Sequence, residues 1–413
     1  MASDDNSGQI TFPDRRTLLK SSGVAATGLI AGCLNSFSSG NDDGGGPIDI
    51  GATLPLSGAF SDTGQYVRDG YRQWEQEINN GGGLLDREVN LIIEDDQSEP
   101  SQGVSLLQRL INQENVDLLL GGYPGSTAAG QMQVADENDL VYISMGGHMA
   151  SFEQGFEYTL GAPPLMGQWW YNGFFNWLKN QPESERPKTA AAITIDNPVG
   201  GAIRECTTTG LDDLGISLEM DERYSLPLDS AQSLVSEAKD IGAEMFFANG
   251  FFPDGVQTIQ AVHNVEYRPK ALLQGVGSLT PAWEDELGEQ GNYVISGTSM
   301  HPDLPFDGVD DLNQAASEKY DRGSTPIYFM FGYSWAQTLE QGVNGAGSLD
   351  NTEINDWLHN NCVQTVGGEY CFDDRGLPDP IDYATQIQNG TAELVQPEDV
   401  ATTDIVYPYG EQF

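Results

Sequence analysis

The sequence predicts an α/β protein built as two lobes, each a parallel sheet covered by helices. Three observations carry this expectation. Short apolar runs alternate with amphipathic stretches across Gly, Asp and Pro turns, the pattern of strand–helix–strand units. The alternation comes as two series that part near Pro163. The 413 residues, 38% of them hydrophobic, suffice for two cores of ordinary size.

Taken in order, residues 48–54 read as a strand, and residues 64–80 place Val67, Tyr71, Trp74 and Ile78 at helical spacing. A strand at 89–93 follows, then a helix through Val104, Leu107 and Leu110, a strand at 116–120, a helix from about Ser126 and a strand at 140–143. The second series opens with an aromatic helix at 165–178, then a strand at 190–195 and a helix from Gly201. Ser230 is an N-cap ahead of Ala231, Leu234, Val235, Ala238 and Ile241, which share one helical face. Strands at 244–248, 271–274 and 293–296 and a helix at 254–265 complete it. The last hundred residues hold helices at 311–320, 327–341 and 352–361, a hairpin and a terminal strand near Ile405.

Charge narrows the partners. Asp and Glu number 62 against 18 Lys and Arg, a formal charge of −44. Nucleic acid is excluded as a partner because phosphate binding needs a clustered surplus of basic residues. An anionic membrane surface would repel such a body. The acids point to a halophilic, haloarchaeal-like surface, since molar salt shortens the Debye length to roughly 3 Å and screens the self-repulsion.

Residues 14–33, DRRTLLKSSGVAATGLIAGC, resemble a twin-arginine export signal ending in a lipobox. Arg15 and Arg16 supply the positive segment, and the apolar stretch after them is too short and polar to span a bilayer. The resemblance implies a signal at 1–32, lipid modification of Cys33 and a flexible tether at 33–47, where Gly, Ser and Asp dominate. Residues 1–32 contain three acids and three bases, so the charge of −44 belongs to the mature body.

The body itself resembles the extracytoplasmic solute-binding proteins of branched-chain amino-acid type ABC importers. The residues that carry the likeness are Pro55-Leu56-Ser57-Gly58, Ile78-Asn79-Asn80-Gly81-Gly82, the Asp95-Asp96 turn, GGYPGST at 121–127, YISMGG at 142–147, IDNPVGG at 195–201, ANGFFPDGVQTIQ at 248–260 and YCFDDRGLPDP at 370–380. It implies the type I periplasmic-binding-protein fold, with two Rossmann-like lobes and three hinge crossovers near Gly161, Thr298 and Asp373. Lobe 1 would take residues 48–160 plus 299–372 and lobe 2 residues 161–298 plus 373–413. A small solute would close between them and pass to an ABC permease with its cytoplasmic ATPase. The alternative is a ligand-sensing receptor domain coupled to a membrane signalling protein. Independently, ligands of open α/β sheets sit beyond the carboxyl ends of strands, which places a cleft there.

Candidate ligand residues follow from that placement. In lobe 1, Tyr123, Gly125, Ser126 and Thr127 lie between a strand and a helix start, where free N–H groups and hydroxyls receive a carboxylate or carbonyl. Gly146 and His148 hold the same position one unit later, and Ser57, Phe60 and Thr63 lie on the first strand-end loop. In lobe 2 the resemblance marks Asp196, Asn197 and Val199, an aromatic wall from one of Phe251 and Phe252, and Gln274 with Gly277. Amino-acid binders of the family carry an acid after this last strand to meet the ligand ammonium, whereas here Gly277 stands near that place. An amide, a urea-like solute or an organic acid therefore fits as well as a branched-chain or other apolar amino acid, unless Asp196 or Asp254 supplies the charge.

Outside the cytoplasm Cys362 and Cys371 are expected to form a disulfide across a hairpin, the other reading being two reduced thiols. No phosphate loop, HExxH, CxxC or GxSxG motif occurs, so neither cofactor, metal nor enzymatic chemistry is expected.

Overall fold

In a computed structural model the strand Ile48–Leu54 (β1) pairs in parallel with Val89–Asp95 (β2) on one side and with Leu118–Leu120 (β3) on the other. The structure describes residues 45–145, 149–164, 169–280, 282–320, 325–379 and 383–413. Residues 1–32, where an export signal is expected, Cys33, Gly146 and His148 lie outside them. Tyr142–Met145 (β4) and Thr159–Ala162 (β5) extend the first sheet to the order β2-β1-β3-β4-β5, parallel throughout. Ile48, Ile50, Ala52 and Leu54 have no exposure, as expected of a strand with helices on both faces.

The helix Ser61–Asn80 buries Val67, Tyr71 and Trp74, the stripe its spacing predicts. Its partner is the distant helix Ile327–Ala346. A Cβ on Gly70 would lie 2.2 Å from the Phe329 carbonyl, and one on Gly332 2.3 Å from that of Val67, so glycine on each helix lets the backbones touch. That contact brings the chain's last helices back onto the first lobe. Cys362–Thr365 (β11) and Gly368–Cys371 (β12) form a hairpin against the same helix, tied by Ser334 Oγ at 3.1 Å from Thr365 Oγ1. Cys362 and Cys371 stand opposite one another, 4.3 Å apart at Cα, and are joined as a disulfide.

The second sheet has seven strands: Thr189–Ile195 (β6), Ser217–Tyr224 (β7), Met245–Asn249 (β8), Ala271–Gln274 (β9), Ile295–Thr298 (β10), Tyr383–Gln388 (β13) and Thr391–Gln396 (β14). Its order is β14-β13-β10-β9-β8-β6-β7. The parallel sheet expected here is parallel only in its main part, because β13 and β14 are antiparallel. Residues 44–413 form one compact unit.

Several expectations are corrected. β5 and β7 were not legible as strands, and β5 carries the first sheet to Ala162, two residues past the boundary at 160. Close to the crossover expected near Asp373, Phe372 bridges Pro378 and Leu377 packs with first-lobe residues. The aromatic helix begins at Asn172, since residues 169–171 form a turn; 165–168 lie outside the described residues. No strand forms near Ile405. The Gln386 side chain supplies the pairing instead, accepting from Val406 N–H at 2.8 Å and donating to the Val406 carbonyl at 2.9 Å.

Candidate functional site

Loops at the carboxyl ends of both sheets face each other. In the first lobe the loop after β1 folds over Asp95, which accepts from the N–H groups of Leu56 at 3.0 Å and Ser57 at 3.1 Å and from Ser57 Oγ at 2.7 Å. Desolvation would raise the Asp95 carboxyl, but Ser57 and the N–H groups of Gln97, Leu56 and Ser57 together hold it below the ordinary value. Thr63 Oγ1 donates to Tyr123 OH at 3.1 Å.

The loop after β3 is backed by a buried polar network. The Gly121 carbonyl accepts from Tyr71 OH at 2.8 Å, and Gly122 N–H donates to Tyr142 OH at 2.6 Å. Tyr142 and Thr53 both donate to Gln131 Oε1 at 2.8 Å. Asp96 completes this interior with no exposure; Oδ1 accepts from Ser98 N–H and Oδ2 meets no partner. Burial pushes its carboxyl up to about 6, with Asp95 adding to the effect. Among the described residues no side chain caps the helix Gly125–Asp136 and none takes the Gly125 and Ser126 N–H groups, the donors a helix start leaves over.

In the second lobe the loops are knitted to one another. Gln274 Nε2 donates to the Gly250 carbonyl at 3.1 Å and the Phe251 carbonyl at 3.2 Å, and its Oε1 accepts from Ser278 N–H at 3.0 Å. A Cβ on Gly275 would lie 2.4 Å from the Gly250 carbonyl, and one on Gly277 2.7 Å from that of Phe251. Asp254, 1% exposed, accepts from Phe251 N–H at 3.1 Å and from Tyr224 OH. Burial raises its carboxyl in spite of those donors. Asp196 is ion-paired with Arg223 at 2.7 Å, and Asn197 Oδ1 caps the next helix through Gly200 N–H at 2.8 Å.

Aromatic rings join the two walls. Phe60 of the first lobe meets Phe251 of the second edge to face at 6.2 Å. Behind Phe60 stand Tyr123 at 6.5 Å and then Tyr328, 5.3 Å from Tyr123.

This two-lobed cleft agrees with what known proteins show. A family model described as "Periplasmic binding protein" matches residues 47–391. The chain belongs to the periplasmic binding protein family. An "Amino acid binding protein" of Pseudomonas aeruginosa is 25% identical over 80% of this binding protein and 87% of its own length. Among solved structures, a "putative branched-chain amino acid ABC transporter" from Silicibacter pomeroyi superposes with a TM-score of 0.77 at 20% identity, covering 88% of this chain and 99% of that one. A solute binding protein of an ABC transporter from R. palustris, solved with benzoate, gives 0.73 at 17%, covering 84% and 95%. These structural likenesses establish the two-lobed α/β fold.

Within this binding protein the candidate residues divide. Ser57, Thr63, Tyr123, Gly125, Ser126 and Phe251 gather at the strand ends around the ring contact. Gly122 N–H is already donated, so the free N–H groups expected of that loop begin at the helix itself. Thr127 turns inward, 1% exposed, with its methyl near Gly103. Val199 is 5% exposed and packs in the core, while Phe252 packs in the cluster on the sheet's other side. Asp196, Asn197 and Gln274 are held by protein partners, and Gly277 serves close loop packing. The sequence reading missed Tyr328 and Trp170, whose Nε1 donates to the Gly275 carbonyl at 3.0 Å. Pro326 before a helix start was the available signal for the first, but nothing local indicated the second.

Proposed function

We propose that this chain is the extracytoplasmic solute-binding component of an ABC importer: exported by the twin-arginine route, lipid-anchored at Cys33, and closing two lobes on a small solute for delivery to a permease powered by a cytoplasmic ATPase. The protein carries its ligand and breaks no bond in it. The observation that supports this reading is the Phe60–Phe251 contact, which joins strand-end loops of both lobes beside the orphan donors of the Gly125 helix. Closure then works by population shift, the solute adding contacts to the closed form that the open form lacks.

The solute class follows from the carboxylates. A buried ammonium needs a charged partner. Asp196 is committed to Arg223 and Asp254 to Tyr224 and Phe251, and Gly277 has no room for a side chain. An apolar organic acid or an amide fits these walls better than a zwitterion, with its oxygen on the Gly125 and Ser126 N–H groups and its body against the rings. The relatives named above bind amino acid in one case and benzoate in the other. A thermal-shift panel in molar salt with apolar amino acids, aromatic and aliphatic acids, amides and urea tests the reading. Acids or amides should raise the melting temperature more than their α-amino counterparts, and no shift with any compound would refute the carrier.

A further inference from the structure

The antiparallel pair of β13 and β14 turns through Asn389 and Gly390, with Gln388 and Thr391 opposite one another as the last pair of the ladder. Both turn residues have positive φ, 51° at Asn389 and 81° at Gly390, the backbone of a primed hairpin turn, which favours Asn-Gly. The tip is held from within. Asn292 Oδ1 accepts from Gly390 N–H at 2.9 Å, and the Glu284 carboxylate lies against Gly390 and leaves no room for a Cβ.

The turn accounts for Asn389 and Gly390 but not for the residue after them. Thr391 completes the one place in the sequence where an asparagine has a serine or threonine two positions on, the triplet of an N-glycan acceptor. Asn389 and Thr391 are both exposed, and neither the Asn389 carboxamide nor the Thr391 hydroxyl has a hydrogen-bond partner among the described residues. Gln388 beside them differs, donating through Nε2 to Gln386 Oε1 and to the Asp404 carbonyl, both at 2.9 Å. The two side chains that the triplet requires are thus the ones the hairpin leaves free.

We infer that Asn389 is the acceptor for an N-linked glycan, donated by a sugar joined to a membrane lipid through phosphate. In the transfer Asn389 Nδ2 bonds to the anomeric carbon of the sugar, and the bond from that carbon to the phosphate oxygen breaks. The lipid phosphate leaves with the bonding electrons, the amide gives up one proton, and nothing is oxidised or reduced. The site rests on the export proposed above, because the triplet is modified in secreted chains. It does not obstruct the cleft. β13 runs antiparallel to β10, with Ile295 opposite Gln386 and Thr298 opposite Tyr383, so the tip lies at the amino end of β10, away from the strand ends that carry the cleft loops. A glycan there adds hydrated bulk without charge to a surface crowded with carboxylates.

The test takes the full chain from the membrane fraction of the cells that make it and reads the peptide containing residues 389–391 by mass spectrometry, with sugars left in place. A glycan mass that fragmentation assigns to Asn389 is expected. Asn389→Gln and Thr391→Ala should each abolish it, while Thr391→Ser should retain it, a pattern that a change in the turn alone would not give. Circular dichroism shows that each variant is folded. Asn389 recovered bare, or only deamidated, from chain at the outer face of the membrane would overturn the site and leave the carrier standing. A glycan that survives Thr391→Ala would overturn it too. Chain found only inside the cell would instead remove the export on which both readings depend.

Discussion

The loops that meet across the cleft follow the same kind of strand end, yet they are braced differently. In the first lobe the backbone after β1 and β3 leans on side chains from deeper in the sheet, Asp95 on one loop and Tyr142 on the other. In the second lobe the loops after β8 and β9 lean on each other, through Gln274 and through glycines that leave no space for a Cβ. The first arrangement leaves the Gly125 and Ser126 N–H groups without a partner among the described residues. The second commits its polar groups and offers a rigid wall bearing one ring, Phe251. The two walls thus differ in how their loops are held, while each brings a ring, Phe60 or Phe251, to the contact.

The strongest way to break this contrast is a pair of alanines. Gly275→Ala puts its Cβ 2.4 Å from one backbone carbonyl and 2.9 Å from a backbone nitrogen, which cannot yield, so denaturant unfolding should show a loss of about 3 kcal/mol. Gly122→Ala meets only side-chain ends, at 3.1 Å or more, and should cost well under half as much. Equal losses would remove the distinction.

The next effect concerns the charge behind the first wall. Asp96 keeps its proton to about 6 in the folded state. Its contribution is therefore full below the ordinary carboxylate range and is lost as pH rises through about 6. Asp96→Asn should flatten that slope and be more stable than wild type at pH 7 by about 2–3 kcal/mol, measured in molar salt to suppress the general charge repulsion. A slope unchanged in the variant would show that another group carries it.

Between the walls, Phe60→Ala and Phe251→Ala should each weaken solute affinity about tenfold in calorimetric titration. The double variant should fall short of the sum by about 1 kcal/mol, because both remove the same ring contact. Full additivity would mean that the rings do not meet in the liganded state. The smallest effect belongs to Ser57→Ala, which removes one donor from Asp95 and should cost about 1 kcal/mol at neutral pH. Since Asp95 is held below its ordinary value, that cost should vanish as pH falls through the folded-state value, the opposite direction to Asp96.

Much of the architecture was legible because its causes are local. The stripe of Val67, Tyr71 and Trp74, the cap at Ser230 and the apolar runs of β1, β6, β8 and β9 each follow from spacing within a few residues. β7 escaped because it is an edge strand with a charged sequence, SLEMDERY, and charge on an edge is how sheets avoid further pairing. β5 has four residues, too few for a period to appear. The segment at Ile405 looked like a strand since its backbone is indeed paired, though to a glutamine side chain.

For the site, sequence order was enough to place the loops and to name the residues on them. It could not tell which of two adjacent phenylalanines turns to the cleft, or that the Asp254 carboxylate is taken by a tyrosine thirty positions away. Strand and helix periodicity, capping and the acidic surface are properties of neighbouring residues and of composition, so the sequence by itself determined the two α/β lobes and the charge of the body. Which carboxylates remain free and which ring faces its counterpart depend on groups brought together from distant segments. Tertiary packing alone decided those, because a hydrogen bond or a ring contact exists only at a distance that no local spacing encodes.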